Sequence, residues 1–432
     1  MSPLATSTGY RAVGDNAGVW RSAIYVLLLI AVFTRVAIPA PWLDQFYGYT
    51  LDEGGIAGKI HPGGYAIAGV FALSLLTLRV ELDRWSFAAA KAMTGFATVI
   101  VALMAYIALA GLGVSSGYLI DTYIVTLLGG LAILAQPAAL RIRLGQWVLA
   151  LLVASAAIGI LEAVTHSRVM PYTTAETVFR PTGLAGHPLA LGLLSAVAIP
   201  FVAIQRWPAW LRAAAITVLF VGTAAANARI ALIAAMIAVA ATMLLVPMNT
   251  RSAATGSRLR ALLVTGGAIA LAGGVTLLAF AGFLRRLSSG LVDRSSMARI
   301  EVYDLFSMAS WNEILFGADT AHIARLAETQ LGLKAIESSV VIFVFQFGLI
   351  GALIFAAAFL FTVLRLVRGV PAPAKVAAGL FFLVALSNNT LSTKTPVILV
   401  LIVLLIAARA IADTAAARRG PAQTVARRWA DY

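Results

Sequence analysis

The chain has 432 residues, of which 61% are hydrophobic and only 12% charged, with no cysteine and a formal net charge of +14. Soluble domains carry roughly 25% charged residues, so this composition excludes an ordinary soluble domain and fits a polytopic membrane protein. The absence of cysteine excludes disulfides, thiolate metal sites and cysteine nucleophiles.

Apolar runs of around 20 residues recur along the whole chain, each long enough to cross a hydrocarbon core of roughly 30 Å as a helix. The short alternating segments of a transmembrane barrel are not seen. In chain order, hydropathy predicts twelve spans, at 22–40, 63–79, 89–110, 118–139, 147–163, 187–204, 210–226, 228–247, 261–283, 338–363, 376–388 and 395–412. The first lacks the small-residue cleavage site of a signal peptide and reads as a helix. The fold class is therefore an all-α integral membrane protein, one polytopic domain over 1–432, with a long outer loop at 284–337 and a basic tail at 413–432.

Sorting Lys and Arg by connection gives the orientation. The N-terminus, the even-numbered connections and the tail hold 20 of the 32, and every connection on that side carries at least two. The positive-inside rule places both termini in the cytoplasm. Basicity is thus largely a topology signal, and no nucleic-acid fold motif accompanies it.

The bases on the other side need a separate explanation. The connections after spans 1 and 11 hold Lys59 and Lys394, and that after span 3 holds none. The connection after span 5 holds Arg168 and Arg180, and the tight hairpin "AANARIAL" holds Arg229. The long loop carries Arg285, Arg286, Arg294, Arg299, Arg325 and Lys334. Arg285 and Arg286 read as anchors to lipid phosphates, and Arg168 and Arg325 as solvated. Arg229 lies in an apolar hairpin with no acidic neighbour in sequence, a costly position without a partner. Arg180 and Arg299 stand between anchor and ligand. A guanidinium fork matches two phosphate oxygens and stays charged, so a lipid diphosphate at the outer face would supply the missing counter-charge.

In "FRPTGLAGHPLALG", Gly183 and Gly186 allow tight turns, and His187-Pro188 opens the sixth span, proline being well placed in a first helical turn. His187 reads either as a contact to phosphate or sugar or as an ordinary helix cap. The small residues of "LALGLLSAVA" suit close helix packing. Within the long loop, "ARIEVYDLFSMASW" places Ile300, Tyr303, Leu305 and Phe306 on one helical surface that lies along the membrane or over the helix ends. "NEILFGAD" turns at Gly317, and a polar helix at about 320–330 carries His322, either solvated or a catalytic base. Glu337 closes the loop. It reads either as a general base with a pKa raised by burial or as the partner of Lys334, three residues earlier on the same helix face. Glu162 and Asp121 read as interfacial polar groups. No DxD-like pair occurs in the outer loop, so no divalent metal or other cofactor is expected.

The order of these features resembles the O-antigen ligase and O-antigen polymerase superfamily of bacterial membrane glycosyltransferases, over roughly residues 175–365. Arg180, Gly183, His187 and Pro188 are similar to the family's arginine, glycine and His/Pro-type helix start, and Arg229 to its hairpin arginine. Arg299, Tyr303 and Gly317 are similar to its loop arginine, aromatic and glycine turn. Counting back eleven residues from Gly348 in "FGLIG", where the ligases carry a histidine, lands on Glu337, and an acidic residue there suits a polymerase better.

The resemblance implies a metal-independent C-type glycosyltransferase of the inner membrane, with its active site at the periplasmic face. It would polymerise lipid-linked repeat units of O-antigen or exopolysaccharide, by glycan transfer from undecaprenyl diphosphate to an acceptor sugar hydroxyl. Glu337, Arg229 and Arg299 would be catalytic, and Arg180, His187, Arg294, Tyr303 and His322 would bind substrate. Membrane lipid, the lipid-linked donor and acceptor, and chain-length regulator and flippase proteins would be its partners. A ligase transferring polymer to lipid A core is the alternative within the family. Outside it stand a secondary transporter and a lipid-linked-glycan flippase, both disfavoured because mid-span positions are almost free of charge and no internal repeat is visible. A scaffold for an assembly complex leaves Arg229 unexplained.

Overall fold

The computed structural model describes residues 16–50, 56–112, 117–172, 179–245, 294–333 and 335–430. Over these residues the chain is helical and contains no strand. Its main helices are α1 (Asn16–Ala37), α2 (Pro62–Thr77), α3 (Arg84–Ala110), α4 (Leu119–Leu134), α5 (Ala138–Thr165), α6 (Pro188–Ala203), α7 (Ala209–Ala225) and α8 (Arg229–Leu245). Among the described residues of the long loop, four short helices follow: α9 (Arg294–Glu301), a single turn at Leu305–Met308, α10 (Trp311–Phe316) and α11 (Thr320–Leu331). Then come α12 (Ser339–Val367), α13 (Ala372–Ala385) and α14 (Val397–Ala430).

A helix thus stands at eleven of the twelve predicted segments. The ninth, 261–283, lies outside the described residues, as do Arg285, Arg286 and Lys334. Five helices are long and apolar enough to cross a membrane: α1, α3, α5, α12 and the Val397–Arg418 part of α14. The remaining six (α2, α4, α6, α7, α8 and α13) are shorter apolar helices. Two boundaries move furthest. α5 starts at Ala138 rather than 147, and α14 continues to Ala430, so the predicted tail begins as a direct extension of the helix.

α6 and the first half of α14 form the centre of the bundle. Both are apolar all round, the pattern of a helix enclosed by others. All residues from Val397 to Ala408 are 2% exposed or less. Peripheral helices instead turn large apolar side chains outward, such as Leu76 at 85%, Leu109 at 89% and Trp210 at 72%. Such a surface suits a hydrocarbon solvent, where backbone groups must be satisfied inside the helices.

Contacts between connections sort into two ends. At one end Arg141 donates to Ser86 Oγ (3.0 Å), Arg409 to the Arg368 carbonyl (3.4 Å), and Arg206 to Thr414 Oγ1 (3.5 Å). This joins the even-numbered connections to the C-terminal extension. The odd-numbered connections gather at the opposite end, and the outer-loop helices sit over it.

The loop helices have their own small core of Val302, Leu305, Ala318, Ile323 and Ala327, packed on Val341 and Phe345 of α12. This corrects the predicted helical surface. The chain tightens into a 3₁₀ turn at Val302–Asp304, which sends Val302 and Leu305 inward and leaves Ile300 63% exposed. The docking depends on Gly348. Its backbone (φ 71°, ψ 161°) interrupts α12, and a Cβ there would lie 2.3 Å from the Leu315 carbonyl oxygen and 2.6 Å from Phe316 Cα. The interruption frees the Phe345 carbonyl to accept from Ala318 N–H at 2.7 Å. Few residues other than glycine adopt this conformation, at about 1–3 kcal/mol each. Gly348→Ala should therefore loosen α10 from α12, lowering the melting temperature and exposing the 294–333 segment to limited proteolysis. Unchanged melting and protection would show that the interruption is incidental.

Candidate functional site at the converging end

The deepest polar cluster of this end centres on Asp121, which sits in a π-helical turn, Leu119–Ile124, that opens α4. Such turns often mark functional positions. Asp121 Oδ2 accepts from Arg35 Nη2 at 2.6 Å and from the Tyr49 hydroxyl, and Oδ1 accepts from His61 N–H at 2.9 Å. Arg35, Asp121, Tyr49 and His61 are all buried. Lys394, from the α13–α14 connection, lies 4.3 Å over the Tyr49 ring and donates to the Tyr49 carbonyl. Asp121 was read as an interfacial polar group. It is instead fully buried and ties the end of α1 and the α1–α2 connection to the start of α4.

The segment quoted above forms the second cluster. Glu162, near the end of α5, accepts from Val169, Thr182 and Gly183 N–H at 2.9, 2.7 and 2.8 Å, and Ser155 Oγ accepts from Leu184 N–H at 3.1 Å. The two glycines are required by contact as well as conformation. A Cβ on Gly183 (φ 50°) would meet the Ser155 carbonyl oxygen at 2.4 Å, and one on Gly186 (φ 69°) would meet Pro39 Cβ at 2.3 Å. Glu162 is therefore a buried anchor for the loop rather than an interfacial group.

Arg180 is also buried, and its Nε donates to the Ala226 carbonyl at 3.3 Å, in the turn between α7 and α8. It is thereby brought to the hairpin that carries Arg229, which is half-buried at the first position of α8. Arg168 is not solvated as expected. It stacks between Tyr172 (4.5 Å) and Phe179 (4.7 Å) and donates to the Arg180 carbonyl at 3.0 Å. Arg325 is exposed, as read.

His187 caps α6, its Nδ1 accepting from Leu189 N–H at 3.2 Å. With Nδ1 occupied in this way, the neutral ring presents its Nε2–H as a donor. His61-Pro62 repeats this device at α2, with Nδ1 accepting from Gly63 N–H at 2.9 Å.

Between these clusters lies a cavity of about 370 Å³. Its walls come from the α1–α2 connection, the loop before α6 and the α13–α14 connection, and Arg35, His187 and Lys394 line it. Of the eight residues chosen from sequence, His187 alone lines this cavity.

Arg180 and Arg229 lie at the α7–α8 turn, and the remaining five belong to the long loop at 284–337. Arg299 Nε and Nη2 reach Glu337 Oε2 at 3.3 and 3.2 Å, so two residues chosen separately form one pair. Tyr303 Oη lies 3.5 Å from Ser338 Oγ. The Glu337 side chain is 42% exposed, not buried, and it precedes the N-cap Ser338 of α12, while Lys334 lies outside the described residues. His322 Nε2 faces Glu313 Oε1 at 3.8 Å, with both side chains partly exposed, and no contact joins it to Glu337. Arg294 opens α9.

Two residues past Glu337, the start of α12 is bonded to the connection that lines the cavity. Ser339 Oγ donates to the Asn388 carbonyl at 2.9 Å and accepts from Leu391 N–H at 3.1 Å, fixing the start of the connection that lines the cavity. Sequence reasoning missed Arg35 and His61 and undervalued Lys394. Arg35 is hidden within an apolar run, where an ionisable residue is itself a signal. His61-Pro62 was legible as a second copy of His187-Pro188.

Removing one partner of a buried ion pair leaves an uncompensated charge and typically costs about 3–5 kcal/mol. Asp121→Ala should accordingly lower stability by about that amount in detergent-micelle unfolding, and Arg35→Met in the same chain should recover part of the loss. A midpoint close to that of the unaltered chain would contradict a buried Arg35–Asp121 pair. Comparison with protein-family models, curated proteins and solved structures found no match for this chain.

Proposed function

We propose that the protein is a membrane glycan polymerase that transfers a glycan from undecaprenyl diphosphate to an acceptor sugar hydroxyl at the periplasmic face of a bacterial inner membrane. In this reading twelve spans cross the membrane and both termini are cytoplasmic. One observation carries the reading: the Arg299–Glu337 pair (3.2 Å) stands just before α12, whose first turn is bonded through Ser339 to the connection that lines the His187 cavity. This reading assigns the arginines to a leaving diphosphate and the carboxylate to a hydroxyl proton.

The chemistry requires little beyond these groups. The acceptor hydroxyl gives its proton to Glu337 as its oxygen bonds to the donor's anomeric carbon. The bond from that carbon to the diphosphate oxygen breaks, and undecaprenyl diphosphate leaves with the electron pair. Arg180, Arg229 and Arg299 offset the negative charge that develops on it. Arg299 engages Glu337 through Nε and Nη2, which leaves Nη1 to meet the diphosphate and couples base to leaving group. Tyr303 and His187 hold the sugars. Ligation of polymer to lipid A core uses the same steps with another acceptor.

The test is turnover by purified protein in liposomes containing lipid-linked repeat units. The expected result is a ladder of lengthening glycans with one undecaprenyl diphosphate released per bond. Glu337→Gln keeps size and hydrogen bonding but removes the base, and should slow transfer by about 10²–10⁴-fold while donor binding survives. Near-normal turnover in Glu337→Gln would remove Glu337 from the chemistry.

A further inference from the structure

The 370 Å³ cavity holds chemistry that the diphosphate reading does not use. Its volume is far larger than a phosphate requires and falls at the lower end of the about 300–1,000 Å³ range of pockets for organic ligands. The wall combines a primary amide (Asn389), a hydroxyl (Thr393), a neutral imidazole (His187) and an aromatic face (Tyr172), whose ring lies 5.9 Å from that of His187. A bare anion needs only donors. A sugar ring needs donors and acceptors together with a flat apolar face, and this wall offers all three.

Charge narrows the ligand further. The Arg35 cation is matched by Asp121 at 2.6 Å. Lys394 is half-buried and lines the cavity, yet among the described residues it meets only the Tyr49 carbonyl and ring, and no carboxylate lies within ion-pair distance. An ammonium at the edge of an apolar bundle calls for a counter-charge.

We infer that the cavity is a binding site for a carboxylate-bearing sugar, with Lys394 as its anion contact and the Asn389, Thr393 and His187 wall reading its hydroxyls. Arg35, held by Asp121, is a positioning residue that keeps the α1 end of the wall in place. The identification of this sugar as part of the acceptor glycan rests on the transferase reading. The anion preference of the cavity does not.

The experiment is equilibrium binding to the purified full chain in nanodiscs, using a glucuronate-containing disaccharide, the matching glucose disaccharide and inorganic pyrophosphate. A charge-assisted contact should favour the uronate by about ten- to a hundredfold over its neutral counterpart. Lys394→Met should remove this preference, and Lys394→Arg should retain most of it. Equal affinity of the unaltered chain for the two disaccharides would overturn the inference, and this comparison needs no variant to fold. So would displacement of the uronate by pyrophosphate at lower concentration than by the sugar itself, which would assign the cavity to the donor's diphosphate. Turnover of lipid-linked donor is scored separately. Uronate preference without turnover would sink the transferase reading and keep the site, whereas turnover without preference would do the reverse.

Discussion

A carboxylate enclosed at the end of an apolar bundle must find its hydrogen bonds within the protein, and Asp121 finds them in three different places along the chain. Arg35 comes from the end of α1, and Tyr49 and His61 come from the connection that follows it. Ionised groups in such surroundings are stable only when paired and fully hydrogen-bonded. That requirement selects one arrangement of α1, α2 and α4, and Lys394 extends it to the connection before α14. Hydrophobic contact alone is non-directional and would leave these helices free to slide. The polar cluster supplies register at the end where the cavity lies.

The same logic recurs with backbone groups in place of side chains. Glu162 gathers three N–H groups of the loop before α6, and Arg180 carries that loop to the α7–α8 turn through the Ala226 carbonyl. Ser339 joins the start of α12 to the α13–α14 connection, and Tyr118 reaches Gln346 on α12 at 2.6 Å. Each odd-numbered connection is thereby tied to another at one end. The outer-loop helices close over this framework, positioned by the Gly348 interruption. Rigid support of this kind is what a site needs to hold reacting groups in place.

What was legible in the sequence was local. Helix positions follow from apolar runs, and the His187 cap and the Gly317 turn follow from neighbouring residues. Pairings over long separations were not legible. Arg35 and Asp121 are 86 residues apart, and Arg299 and Glu337 are 38 apart. Arg35 also lies in a run whose mean hydropathy hides a single charge. Lys334 drew attention as the partner of Glu337 because it is near in sequence. Folding of the loop around Val302 and Leu305 brings Arg299 to Glu337, a contact that sequence proximity does not announce. Arg168 read as solvated because nothing local predicted that Tyr172 and Phe179 would enclose it.

The central claim is that the converging end, with its cavity and arginines, faces away from the cytoplasm. Because the chain contains no cysteine, single cysteines report sidedness without background. Ser307 of the outer loop and Ala416 of the α14 extension are both exposed and belong to opposite ends. With an impermeant thiol reagent, the account predicts labelling of Ser307→Cys in intact cells and of Ala416→Cys only after permeabilisation. Labelling of Ala416→Cys but not Ser307→Cys in intact cells would contradict it.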